Sequence, residues 1–401
     1  MKIWKYKRLS ECSTFVSERT SNIAIDNYIS TENMIENRGG VKEAAALPDV
    51  KSTSAYKPND ILLSNIRPYF CKIWFADKKG SCSNDVLVVR AKKEVDPKFL
   101  YYVLSDQNFF NWDSMTSKGT KMPRGTPNAI MKYSVPDLPL PTQQKIASIL
   151  SAHDNLIQNY KKQIEALQTG TCELYKEWFV RFRFPGWQNA NFENGIPEGW
   201  KYLKLSEFGY EVESGNRPAG GIDDSLEDGI PSLGAESIDK LGYFDYSNVK
   251  LVPREFYDKM KRGHGKDNDI LLYKDGAYIG KVTLFRNGFP FKEYAVNEHV
   301  FLLRSNNKDY QNYLYFTLNM PQYFTQMQNL NRNAAQPGLA RGDLDRIKIL
   351  VPNEKGIEKF NKLINPMIDN IFSYSKQITN LTQQRDLLLP RLMSGKLEVL
   401  K

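Results

Sequence analysis

Trp4-Lys5-Tyr6-Lys7-Arg8-Leu9-Ser10-Glu11 returns later in the chain as Trp200-Lys201-Tyr202-Leu203-Lys204-Leu205-Ser206-Glu207. The echo continues in order. Asn59-Asp60-Ile61-Leu62-Leu63 is matched by Asn268-Asp269-Ile270-Leu271-Leu272, and Lys72-Ile73 by Lys281-Val282. Val86 to Arg90 shares its apolar pattern with Val300 to Arg304. Phe99-Leu100-Tyr101-Tyr102-Val103-Leu104 falls opposite Tyr313-Leu314-Tyr315-Phe316-Thr317-Leu318, and Phe109-Phe110 opposite Tyr323-Phe324. Chance supplies any one such pair easily, but not the whole ordered set. The chain is an internal duplication.

Each half follows one plan. Short β-branched and aromatic runs come first, broken by Gly, Pro, Asn and Asp turns, and they predict strands at Ile61–Leu63, Val86–Val89, Ile270–Leu272 and Val300–Leu303. Phe99–Phe110 and Tyr313–Phe324 predict short aromatic helices. A Pro-bounded start with a capping residue, Pro141-Thr142 or Pro352-Asn353, then opens a long helical stretch. In the first stretch Ile157, Tyr160, Ile164, Leu167, Thr171, Leu174 and Trp178 alternate three and four apart. In the second, Ile371, Tyr374, Ile378, Leu381, Arg385, Leu388 and Leu392 do the same. This is the a/d seam of a coiled coil. Thr171 and Arg385 are polar interruptions, Gly170 weakens the first helix, and Pro390 is expected to end or kink the second. The alternative is two amphipathic helices, each lying on its own domain. Two matching seams in one chain favour their pairing with each other. The division read from the sequence is a first domain at 1–140, a helical spacer at 141–184, a linker and second domain at 185–351, and a C-terminal helical spacer at 352–401.

The chain has 401 residues, more than one ordinary domain needs. Lys and Arg number 55 against 46 Asp and Glu, a formal charge of +9, which favours polyanionic partners. The surplus is uneven: residues 51–150 carry 15 basic and 8 acidic side chains, 251–350 carry 15 and 10, but 201–250 carry 5 and 10. No apolar run is long enough for a membrane helix. The start, Met1-Lys2-Ile3-Trp4-Lys5-Tyr6-Lys7-Arg8, lacks the apolar core of a secretory signal. Cys12, Cys71, Cys82 and Cys172 form no CxxC pair, and His153, His264 and His299 are scattered, so neither a disulfide framework nor a zinc site is expected. A cytoplasmic protein with no membrane contact is the expectation.

Several strings then match a known family. Leu138-Pro139-Leu140-Pro141-Thr142-Gln143-Gln144-Lys145-Ile146, Trp178-Phe179-Val180-Arg181-Phe182-Arg183-Phe184-Pro185-Gly186, Gly195-Ile196-Pro197-Glu198-Gly199-Trp200 and Leu387-Leu388-Leu389-Pro390-Arg391-Leu392-Met393-Ser394-Gly395-Lys396-Leu397 occur in this order. Along essentially its whole length the chain resembles the DNA-specificity (S) subunit of type I restriction–modification systems. The resemblance implies an α+β fold with two similar mixed α/β target-recognition domains. Two long antiparallel helices, forming a coiled coil, would separate them in a pseudo-two-fold arrangement. It implies that each domain reads one half of a split site on double-stranded DNA, and that the helices set the spacing and dock modification (M) subunits, two of them. Restriction (R) subunits, also two, would complete the nuclease. S-adenosylmethionine, ATP and Mg would belong to those partners, with no cofactor bound by this chain. Asn65-Ile66-Arg67-Pro68 in the first half faces Lys274-Asp275-Gly276-Ala277 in the second, so the half-sites should differ.

Motifs for chemistry are weak. Gly276-Ala277-Tyr278-Ile279-Gly280-Lys281-Val282 looks like a P-loop but is one residue short and ends in Val rather than Ser or Thr. Pro48-Asp49 with Asp77-Lys78-Lys79 only vaguely suggests a nuclease metal site. No cofactor loop of an amino-methyltransferase is present. His153 reads as a packing or capping residue. The competing hypothesis is a stand-alone nuclease or DNA methyltransferase with an unrecognised active site. Candidate DNA contacts are cations and polar residues in turns, which neutralise phosphates or read base edges. They are Asn65, Arg67, Tyr69, Lys72, Lys118, Lys121 and Arg124 in the first half. In the second they are Asn216, Arg217, Lys274, Tyr278, Lys281, Arg332 and Arg341. The competing reading for each is a solvated surface charge. A helix from Asp154 to Phe182 would be about 43 Å long, enough to hold the two domains about one DNA turn apart.

Overall fold

The computed structural model describes residues 4–223, 225–330 and 338–397. The chain divides into two compact units, Met1–Leu156 with Leu381–Lys401, and Ile157–Asn380. These units cut across the four-segment division read from the sequence, because both dividing points fall inside the long helices.

In the first unit a four-stranded antiparallel sheet runs in the order Ser13–Phe15, Val86–Ala91, Ile61–Ser64, Ile73–Phe75. The second unit repeats it as Tyr210–Ser214, Val300–Ser305, Ile270–Tyr273, Val282–Leu284. A small pair, Tyr6–Arg8 with Ser134–Pro136, is likewise matched by Lys201–Lys204 with Lys348–Val351. Beside each main sheet lies a smaller mixed one: Arg19–Thr20, Thr53–Tyr56, Gly80–Cys82 and Tyr28–Ile29 in the first unit, Lys250–Val252, Ile230–Leu233 and Ala295–Val296 in the second. The duplication is therefore one of topology as well as sequence.

The repeated Asn-Asp-Ile-Leu-Leu string shows why. Asn59 and Asn268 take left-handed conformations (φ 72° and 67°), which Asn tolerates better than most residues. The next residue turns its carboxylate inward. Asp60 accepts from the Lys57 amide at 2.9 Å, and Asp269 from the Lys266 amide at 2.8 Å. Across the sheet Arg90 grips Asp60 through two bonds of 2.7 and 2.8 Å, and Arg304 grips Asp269 through two of 2.6 Å. Ile61, Leu62 and Leu63 are all fully buried because the strand is covered on both faces, which accounts for an unbroken apolar run rather than an alternating one.

The first long helix spans Leu140–Tyr175, 36 residues and about 54 Å, and continues as a π-helical turn over Lys176–Val180. The second spans Glu354–Met393, 40 residues and about 60 Å. Within the second unit they run antiparallel. Tyr160 stacks on Tyr374 with centroids 5.0 Å apart, Gly170 faces Met367, and Phe179 meets Phe360 at 4.9 Å. Ile157, Ile164 and Ile371 are buried, and Leu167, Tyr374 and Ile378 pack partly buried against the same core. Leu381 is half-buried. The polar seam residues have partners: Arg385 meets Asp154 at 2.9 Å within the first unit, and the Thr171 hydroxyl donates to the Gln168 carbonyl. Asp154 also accepts from the Tyr102 hydroxyl at 2.6 Å, tying the helix to its domain. In the second unit the Leu241-Gly242 loop serves the same end. Gln168 donates to the Leu241 carbonyl from one long helix and Ser375 to the Gly242 carbonyl from the other. Gly242 is required there, since its φ is 76° and a Cβ would lie 2.4 Å from Ile371.

Four local expectations need correction. The first helix begins at Leu140, with Thr142 and Gln143 already bonded to the Pro139 carbonyl, so Thr142 is not its cap. Asn353 does cap the second, accepting from the Gly356 amide at 2.9 Å. Pro390 does not end that helix, which continues to Met393. Leu389 and Leu392 are buried on either side of it, and their packing holds the last turn in place. Each aromatic helix is two helices, Pro97–Ser105 then Gln107–Thr116, and Gln311–Leu318 then Pro321–Asn329. Asp106 caps the Asn108 amide, and Pro321 cannot continue a preceding helix.

Candidate nucleic-acid interface

In the first unit the chain leaves strand Ile61–Ser64 through a turn that closes where the Ser64 amide meets the Lys72 carbonyl. Arg67 sits in it with φ 50°, ahead of the Pro68–Phe70 helical turn. A second loop docks beside this turn. Lys118 and Arg124 exchange backbone hydrogen bonds of 2.9 Å, so residues 119–123 project as a tip. The Arg67 amide donates to the Pro123 carbonyl at 2.8 Å and the Gly125 amide to the Asn65 carbonyl at 3.0 Å. All seven candidates of the first half are thereby assembled in one place. Tyr69, Lys118, Lys121 and Arg124 are exposed, and Arg124 reaches Asp85 at 3.0 Å. Lys72 is turned to the Thr31 carbonyl, and both it and Arg67 lie near the Phe70 ring, 5.5 and 5.9 Å from its centroid. Asn65 is half-buried, and its Oδ1 has no partner among the described residues.

The second unit builds the same junction from different side chains. The Tyr273 amide meets the Lys281 carbonyl as Ser64 meets Lys72, and Leu339 donates to the Lys274 carbonyl as Gly125 does to Asn65. The Lys274 amide donates to the His299 carbonyl as Asn65 does to Asp85. Around it runs a chain of close contacts between polar and charged side chains. Arg217 meets Glu298 at 3.3 Å, His299 lies 3.4 Å from Glu298 and 3.3 Å from Asp275, and Lys274 lies 3.5 Å from Asp275. These pairs are partly exposed and weak, so exchanging carboxylate for phosphate would cost little. Asn216 and Tyr278 are exposed, the latter edge-on to Tyr273. Arg341, exposed, opens the short helix just after Leu339. Arg332 lies outside the described residues.

Lys281 is not part of this network. Its ammonium lies 3.3 Å from Asp239, in a cavity lined also by Gln168 and Cys172 of the first long helix. Asp275, Glu298 and His299 were passed over in the sequence because nothing local marks them. The repeat offered a signal: Glu298-His299 precedes strand Val300–Ser305 as Asp85 precedes Val86–Ala91. His153 bonds the Ile149 carbonyl through Nδ1 at 2.9 Å, a helix-internal contact. The four cysteines are free, and burial pushes the Cys82 thiol up to about 12 and the Cys12 thiol up to about 11. Among the described residues no group of three or more His, Cys, Asp or Glu could hold a metal, and no helix is long and apolar enough to cross a membrane.

The model of the type I restriction modification DNA specificity domain family matches residues 2–169 and 197–384, one match to each half of the repeat. The chain belongs to this family. Among relatives it is 29% identical over 317 residues to the type I restriction enzyme MjaIX specificity subunit of Methanocaldococcus jannaschii, covering 77% of this chain and 71% of that one. It is 26% identical to the MjaVIII specificity subunit of the same organism, over 99% of this chain and 93% of the other. The crystal structure of a type I restriction–modification S subunit from M. genitalium shares the fold, with a TM-score of 0.61 at 18% identity, covering 98% and 96% of the two chains. The fold class that the resemblance implies, two similar mixed α/β domains with long helices, is the one observed.

Proposed function

We infer that this S-family chain is the DNA-reading subunit of a type I restriction–modification complex, with each unit reading one half of a bipartite site. The twin junction supports this most directly. One backbone arrangement occurs twice and carries cations both times, Arg67, Lys118, Lys121 and Arg124 in one unit and Arg217, Lys274 and Arg341 in the other. Around the shared frame the side chains differ, as two different half-sites require. The paired helices set the length of the unspecified gap and dock two M subunits. Two R subunits join them, and S-adenosylmethionine, ATP and Mg are bound by those partners rather than by this chain. The complex works in the cytoplasm, and this chain carries out no chemistry by itself.

Methylation mapping of genomic DNA from cells with the complete system tests this reading. Two short, different half-sites flanking a fixed gap are expected. A purified chain that methylates or cuts DNA with no other subunit would establish the competing enzyme reading.

A further inference from the structure

Asp113 is 0% exposed, and neither of its carboxyl oxygens has a hydrogen-bond partner among the described residues. It lies on helix Gln107–Thr116, beneath the first recognition junction. Asn65 Oδ1 is enclosed and unpartnered too. Both oxygens crowd Gly125: a Cβ there would fall 2.5 Å from Asp113 Oδ1 and 2.9 Å from Asn65 Oδ1. Two acceptors cannot bond each other, and orphaned buried polar atoms are costly, so the pair closes either with a proton on Asp113 or with the Asn65 amide turned over.

The repeat provides an internal control. With Phe109-Phe110 opposite Tyr323-Phe324, Asp113 falls opposite Met327, which is also fully buried. Packing at this position is thus satisfied by an apolar side chain. The acid stands only in the unit where the junction residue is Asn65, which Lys274 replaces in the other. We propose that Asp113 is a positioning residue of the first unit. As the neutral acid it donates to Asn65 Oδ1, directly or through one water, and pins the recognition turn to the Gly125 end of the projecting loop. Its DNA consequence rests on the function inferred above: reading of the first half-site, but not of the second, weakens with rising pH.

Burial alone pushes the Asp113 carboxyl up to about 7. Its own helix carries no other ionisable residue, but the acid Asp106 caps its start, and the neighbouring helix Pro97–Ser105 carries Lys98, Tyr101 and Tyr102. The turn contributes Arg67, the loop Lys118, Lys121 and Arg124, and the segment after helix Pro127–Ile130 contributes Lys132 and Tyr133. Arg124 is already engaged by Asp85. The sign follows from linkage. A carboxyl raised in the folded state contributes stability that is fully present below its unfolded value of about 4. That contribution is lost as pH rises toward about 7 and is flat above.

Two variants of the full chain, Asp113→Asn and Asp113→Met, test the proposal. In denaturant unfolding from about pH 4 to about pH 8.5, the wild type should lose stability relative to Asp113→Asn up to about pH 7 and then run parallel to it. Parallel curves throughout would mean an ionised carboxylate facing the turned-over amide of Asn65, and would overturn the proposal. In cells with the complete system, Asp113→Met should relax methylation preference at the first half-site about tenfold and leave the second unchanged. Asp113→Asn, which still donates, should restore that preference. An unaltered first half-site in Asp113→Met removes the positioning role. Wild-type methylation by Arg67→Ala would instead bring down the placement of the first DNA interface, whatever the unfolding experiment gives, and methylation by the purified chain alone would bring down the inferred function.

Discussion

Asp60 and Asp269 are each 1% exposed and each held by an arginine through two hydrogen bonds. Removing either acid takes two charged hydrogen bonds from the guanidinium and leaves it paired with a glutamate alone, Glu18 or Glu213, so Asp60→Ala or Asp269→Ala should cost about 2 kcal/mol in urea unfolding. The surface cations act differently. Arg217→Ala should lower DNA affinity and reduce the slope of log affinity against log salt by about one, as for one lost phosphate contact. Lys281→Ala, engaged with Asp239 beside the first long helix, should leave that slope unchanged. Titration of the mapped site against both variants separates the two placements, and equal slopes would contradict them. Residue types marked Lys281 and Arg217 as equal candidates, but only side-chain direction distinguishes them.

The long helices carry their sequence pattern into unequal burial. Ile371 is fully buried against the second unit's core, whereas Leu387 is 62% exposed on the same helix. Ile371→Asp should destabilise that unit by more than about 3 kcal/mol, since an unpaired charge is buried in an apolar core. Leu387→Asp should shift stability by less than about 0.5 kcal/mol in the same denaturant experiment. If Leu387→Asp nonetheless abolishes capture of M subunits, this exposed face is where they dock. The heptad spacing runs through Tyr160 and Tyr374, which stack on each other. It missed the Leu241-Gly242 clamp, because a loop's approach to a helix leaves no periodic trace.

At the scale of the molecule, both boundaries between units fall within helices, after Leu156 and after Asn380. Inserting four helical residues at both points adds about 6 Å to each helix while leaving each unit's own packing residues together. At about 3.4 Å per base pair, the unspecified gap should lengthen by about 1 to 2 base pairs. Methylation mapping of that variant should recover the same half-sites; changed half-sites with an unchanged gap would refute the spacing role of the paired helices.

The duplication, the strand runs and the helical seams were legible in the sequence because they are set by local periodicity and repeated in order. Asn-Asp-Ile-Leu-Leu marks a left-handed turn and a strand locally, whereas the arginine that holds its acid and the cover on both strand faces come from distant parts of the chain. Gathering Asn65–Lys72 with Lys118–Arg124 took the folded chain, since those segments meet through backbone bonds between residues far apart in sequence. The Arg217–Glu298–His299–Asp275 chain and the enclosed Asp113 were equally out of reach. A charge's partner, or its lack of one, depends on which distant backbone delivers a side chain to it, and no local pattern encodes that delivery.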